Sequence, residues 1–96
     1  MLEREYQKKL IRKLKEVFPG CIVVKNDAQL KQGIPDLLIL YNDKWAALEV
    51  KQSKNAKHRP NQDIFVERMD KMSFAQFIYP ENEEFMFNEL RGWFEV

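Results

Sequence analysis

The 96 residues leave room for one small hydrophobic core, and 45% of them are hydrophobic, so residues 1–96 are read as one domain. A single cysteine excludes an internal disulfide, and a net charge of +1 names no partner by itself. No run approaches the roughly 20 apolar residues that cross a membrane, and charge begins at Glu3, so neither signal peptide nor anchor is expected and the cytoplasm is the expected location.

In chain order, Leu2, Tyr6, Leu10, Ile11, Leu14, Val17 and Phe18 recur at helical spacing and stop before Pro19-Gly20, which predicts a helix over 2–18. At about 100° per residue, Glu3 projects near the centre of that apolar stripe, Gln7 lies within it, and Glu5 falls on the opposite side. A strand is expected over 21–26, where Cys21 reads as a packed strand residue rather than a nucleophile. Two further apolar runs, 36–41 and 45–51, flank Asn42-Asp43, a pair that tolerates the positive φ of a tight turn, and so read as a hairpin. A helix over about 60–72, a strand over 74–79, a helix over about 82–90 and a last short strand at 93–96 complete the chain. The strand at 74–79 is expected to return by a crossover, making the sheet mixed, with helices on both faces.

The hairpin carries the chemistry. A turn centred between Asn42 and Asp43 sets Asp36 opposite Glu49. Opposed Cβ atoms lie roughly 4.5–5.5 Å apart, so two carboxylates there repel and call for a cation. Side chains alternate along a strand, so Lys51 emerges on the face of Glu49 while Val50 points away. Two carboxylates and an ammonium together suit phosphodiester hydrolysis: hard oxygens hold Mg²⁺, a bound water serves as nucleophile, and the ammonium orients it or offsets phosphate charge. The backbone carbonyl of Val50 is a further candidate oxygen ligand. Glu3 is the candidate third acid, since a carboxylate on a buried face needs a partner; the alternative is a frayed terminus favoured only by the helix dipole. In a chain that is 32% charged, each of these residues also has a bland reading as solvated surface.

Gly33-Ile34-Pro35-Asp36, followed thirteen residues later by Glu49-Val50-Lys51, resembles the motif of the PD-(D/E)xK nuclease superfamily, and its form is closest to the VRR-NUC group of virus-type replication and repair nucleases. Glu3 and Gln7 reproduce that group's opening Glu-x-x-x-Gln helix, and Gln62 matches the Gln on the helix after the Lys, so the resemblance spans about residues 3 to 90. It implies a restriction-endonuclease-like αβββαβα core. It also implies a nuclease using Mg²⁺ or Mn²⁺, with Asp36, Glu49, Lys51 and Gln62 catalytic and Glu3, Asp36, Glu49 and the Val50 carbonyl around the metal. Small standalone members resemble phage-type junction resolvases, which implies a homodimer acting on branched DNA such as a four-way junction. Flap cleavage, nicking or restriction-like cutting on the same site, and a DNA-binding module without catalysis, are the rivals.

Charge distribution adds a surface. Residues 81–96 carry a net −4, which leaves +5 on residues 1–80. Lys54, Lys57 and Arg59 follow Lys51 with no acid before Asp63, and Lys25 and Lys31 precede the hairpin. Beside the motif these five residues are candidate phosphate contacts; away from it they are a solvated loop. Gln62 reads either as a partner of Lys51 or the attacking water, or as an exposed amide at a helix start. His58, the only histidine, reads as an exposed loop residue, with phosphate binding or proton donation as alternatives, and makes no zinc site alone. Phe85, Phe87, Trp93 and Phe94 would favour self-association if left exposed.

Overall fold

The structure, a computed structural model, describes residues 1–96. Helix α1 (Glu3–Val17) leads into strands β1 (Ile22–Lys25), β2 (Leu37–Tyr41) and β3 (Lys44–Val50), then α2 (Gln62–Met72), β4 (Ala75–Ile78) and, after a 3₁₀ turn at Pro80–Asn82, α3 (Glu83–Phe94). The four strands form one sheet in sequence order. β1 to β3 are antiparallel neighbours and β4 runs parallel to β3, as a crossover through α2 requires. No helix is long and apolar enough to cross a membrane.

Alternation along the strands divides the side chains between two layers. One face presents Leu37, Ile39, Ala46, Leu48, Val50 and Ile78 to Tyr6, Leu10 and Leu14 of α1 and to Met86, Phe87, Leu90 and Phe94 of α3. The other presents Ala47 and Ala75 to Val66 of α2, with Trp45, Met69 and Phe77 at the rim. β3 is buried on both sides from Ala46 to Val50, and the small side chains of Ala46 and Ala47 leave space for a helix over each face.

The turn is where the sequence places it. Tyr41 pairs with Lys44 around Asn42, whose φ of 55° is the left-handed conformation the hairpin needs. Three expectations are corrected. No strand forms at 93–96: Met86, Phe87, Leu90 and Phe94 fall on one helical face and bury there, so α3 continues to Phe94, and only Glu95 (φ 62°) breaks it. The C-terminal aromatic patch is mostly consumed by the core, because Phe87 and Phe94 pack against Phe18, leaving Phe85 as its exposed member. Cys21 lies just ahead of β1, half-buried, its thiol directed at the Leu14 carbonyl (3.7 Å) and pushed up in pKa by burial.

Candidate active site

The last paired residues at the open end of the hairpin are Leu37 and Leu48, so Asp36 and Glu49 come next, one position beyond the ladder on the α2 face. Asp36 is half-buried; Glu49 is nearly sealed, with 2% of its surface exposed. One Asp36 oxygen accepts a hydrogen bond from the Val50 N–H at 2.9 Å, which closes the hairpin end and fixes the carboxylate beside Glu49. The backbone of Val50 thus bridges the two acids, while its side chain lies in the opposite core layer.

Lys51 follows on the same face as Glu49 and is also buried. Its Nζ donates to Gln62 Oε1 at 2.7 Å and to the Lys57 carbonyl at 3.1 Å, and stands 4.0 Å from Glu49 Oε2. Gln62 joins these groups: its Oε1 also accepts from the Arg59 N–H at 2.8 Å, and its Nε2 donates to Glu49 Oε2 at 3.0 Å. Two donors at Oε1 set the sense of the amide. Gln62 is buried, so its reading as an exposed amide does not hold.

α2 is brought to this position by backbone contact. Gly33 has φ +90°, and a Cβ there would lie 2.7 Å from the Cβ of Asn61 and under 3 Å from its backbone. Only glycine lets the loop before β2 press against the start of α2. Asn61 is left-handed (φ 71°), so the helix begins at Gln62 rather than Pro60, and Gln62 becomes its first residue.

The electrostatics centre on Glu49. Burial, then the neighbouring Asp36 carboxylate, raise its carboxyl to about 9 from 4.5, with Lys51 opposing and Glu3 adding to the rise. Its Oε1 is buried without a hydrogen-bond partner. Such an orphan in a native fold calls for a ligand or a proton. Glu3 is half-buried and lines the same cleft of about 270 Å³ as Asp36, Glu49, Arg59 and Gln62, whereas Glu5 is exposed, as the helical phase predicts. Side chains do not gather here into a group of three acids, histidines or cysteines able to hold a metal alone. Two adjacent carboxylates with an orphaned hard oxygen nevertheless fit Mg²⁺, which takes one or two protein carboxylates and completes its shell with water and substrate phosphate.

The basic residues are divided. Arg59 lines the cleft, and Lys31 belongs to the 26–34 loop that forms its far wall, its ammonium 5.5 Å from the Phe65 ring centre. Lys57 is exposed beside its own carbonyl's contact to Lys51. Lys25 and Lys54 are exposed outside the cleft, and the Lys54 N–H is held by the Glu81 carboxylate at 3.2 Å, which sets an acid next to that cation. Of the cleft wall from Ala28 to Ile34, sequence reasoning singles out Lys31 and the Gly33-Ile34 of the motif but not Ala28, Gln29 or Gln32, whose exposed amides beside Lys31 are the one local signal; nothing local marks the surroundings of His58. A larger cavity of about 380 Å³ beside Tyr6, Lys9, Lys13 and Glu83 holds none of these residues. Three of its polar groups satisfy one another, Glu83 accepting from Tyr6 (2.8 Å) and Lys13 (2.6 Å).

A mixed four-stranded sheet flanked by helices, with two acids and a lysine at the end of a hairpin, defines a restriction-endonuclease-like α/β fold. The chain is similar to a solved structure described as a VRR_NUC domain, with a TM-score of 0.65 and 29% identity over 80% of this chain and 82% of that one. No family model matches the chain, and no curated protein matches it. The likeness supports a VRR-NUC domain, and with it a nuclease domain of the PD-(D/E)xK type.

Proposed function

We propose that residues 1–96 form one VRR-NUC-like nuclease domain that hydrolyses phosphodiester bonds of DNA with Mg²⁺ or Mn²⁺. The observation that carries this reading is Glu49: a buried carboxylate with an orphaned oxygen, set against Asp36 and bonded through Gln62 to Lys51. A group kept at such cost in a central strand serves chemistry. Asp36, Glu49 and the Val50 carbonyl would hold the cation, with Glu3 reaching it from α1. The bound cation would offset charge on the scissile phosphate and activate a water. Lys51, fixed by two carbonyl oxygens, keeps a proton free for the water or a phosphate oxygen. Gln62 holds Glu49 and Lys51 at constant separation. Lys31, Lys57 and Arg59, with Lys25 and Lys54 further out, would contact the DNA backbone.

The finer reading is a structure-specific endonuclease, located in the cytoplasm, cutting branched DNA such as a four-way junction as a homodimer. A two-fold dimer presents two sites, matching a junction's symmetry. Self-association is supported by Ile22, Val24 and Leu40, exposed together on the part of the sheet that α2 does not cover. The test is incubation with labelled four-way, flap and linear duplex DNA in Mg²⁺, Mn²⁺ or EDTA, with Glu49→Ala in parallel. Paired junction cuts that require metal and Glu49 are expected. Cuts only in flaps or duplex would remove the junction role, and binding without cutting would favour the non-catalytic module.

A further inference from the structure

Loop 51–61 between β3 and α2 has no regular structure and carries three exposed cations, yet two of its backbone groups enter the site. The Lys57 carbonyl accepts from Lys51, and the Arg59 N–H donates to Gln62. The residue between them is His58. Its ring lies flat on Phe77, with centres 4.1 Å apart and planes 11° from parallel, and its Nδ1 is 2.8 Å from Asp63 Oδ1. Phe77 is the residue that pairs with Glu49 across the parallel ladder, and Asp63 follows Gln62 on α2. One side chain therefore ties the loop to the strand beside Glu49 and to the helical turn that carries Gln62.

We propose that His58 is a positioning residue whose clip on Phe77 and Asp63 holds the loop backbone against Lys51 and Gln62, and so fixes the geometry of both at the site. The proposal rests on the nuclease reading above. Lys51 has two carbonyl acceptors and Gln62 Oε1 has two donors; in each pair one member comes from the backbone flanking His58. Without the clip those two bonds depend on a loop whose cations are also pulled by bound DNA. The His58 side chain is 38% exposed, so its removal leaves both core layers intact.

A displacement of about 1 Å at a catalytic group can cost on the order of 10²-fold in rate. Since Lys51 and Gln62 each keep one partner, the expected loss for His58→Ala is about tenfold in single-turnover cleavage at saturating protein, with the DNA Kd in EDTA within about twofold. Hydrogen exchange of the Arg59 amide should quicken about tenfold while β3 amides stay unchanged, because that amide is protected only by Gln62. His58→Phe, which keeps the stacking ring, should fall between wild type and His58→Ala on both readouts. An unchanged cleavage rate, or unchanged Arg59 exchange, overturns the proposal. So does a loss that vanishes at saturation, which would make His58 a phosphate contact, or His58→Phe losing cleavage with Arg59 still protected, which would make it a proton donor. Wild-type protein that cuts no DNA would refute the nuclease reading, and the exchange comparison alone would then decide the clip.

Discussion

Replacing Glu49 with Gln separates what the buried carboxylate costs from what it is for. In the folded, metal-free protein the Glu49 carboxyl is raised to about 9, against 4.5 for an ordinary glutamate. Between those values the folded chain keeps a proton that the unfolded chain has released. The group's contribution to stability is therefore complete below pH 4.5 and is lost as pH rises toward 9. The slope is about 1.4 kcal/mol per pH unit, so about 4 kcal/mol is lost between about pH 5 and pH 8. Relaxation of the surroundings and water entering the adjoining cleft offset part of this, which lowers the expected figure to about 2 kcal/mol. Gln is isosteric: its oxygen accepts from Gln62 as Glu49 Oε2 does now, and its amide nitrogen donates to Asp36 where two carboxylates otherwise meet.

Urea denaturation of both proteins in EDTA, followed by far-ultraviolet circular dichroism, measures the difference. Glu49→Gln should match wild type near pH 5 and exceed it by about 2 kcal/mol near pH 8, equivalent to at least about 8 °C in Tm for a domain of this size. Mg²⁺ at the higher pH should stabilise wild type alone and narrow the gap, while cleavage by the variant is lost. Parallel stability–pH curves for the two proteins would refute the reasoning, because they would place Glu49 in a solvated setting with an ordinary carboxyl.

Gly33→Ala must move Asn61 and hold a left-handed φ, so it should cost about 2 kcal/mol or more and reduce cleavage through the start of α2; a urea midpoint shift worth under about 0.5 kcal/mol would show that the loop yields freely. Glu3→Gln should weaken Mg²⁺ binding by calorimetry about threefold to tenfold, a charge effect of order 1 kcal/mol, while exposed Glu5→Gln changes it less than twofold. Equal effects would break the assignment from helix phase. Tyr6→Phe removes the hydroxyl that donates to Glu83 and should cost about 1 kcal/mol with cleavage unchanged. A fall in its cleavage would mean that the larger cavity communicates with the site.

What was legible in the sequence was what local periodicity governs. Alternation about Asn42-Asp43 gives the Asp36–Glu49 register, and the phase of α1 sends Glu3 to the cleft and Glu5 to solvent. What was illegible depends on residues distant in the chain. Trp93-Phe94-Glu95-Val96 is rich in the aromatic and β-branched residues that strands favour, yet Phe18 and Tyr41 capture Phe94 and keep it helical. No local signal says that Asn61 seals Gly33, that the Val50 amide closes on Asp36, or that Phe77 lies beneath His58. Each of these contacts joins a loop to a separate element, and tertiary packing alone decides it.

The same packing explains how the fold tolerates a buried, mutually repelling acid pair. Glu49 sits near the end of β3, the strand with neighbours on both edges and helices over both faces, where Ala46, Ala47, Leu48 and Val50 are all fully buried. Fully burying an aliphatic side chain such as Leu or Val stabilises by about 1.5–3 kcal/mol, so Leu48 and Val50 alone match the roughly 4 kcal/mol upper cost of Glu49 near pH 8. The acid is thus carried by the segment best able to hold it without local unfolding. Its surroundings are built the other way: the 26–34 and 51–61 loops that rim the cleft are mostly exposed and polar, and they carry Lys31, Lys57 and Arg59. For the proposed nuclease, rigid placement of the reacting groups and an adaptable rim for a long, charged substrate are opposing demands. The chain meets them by assigning one to the central strand and the other to the loops, with Gln62 and the backbone on either side of His58 as the joints between them.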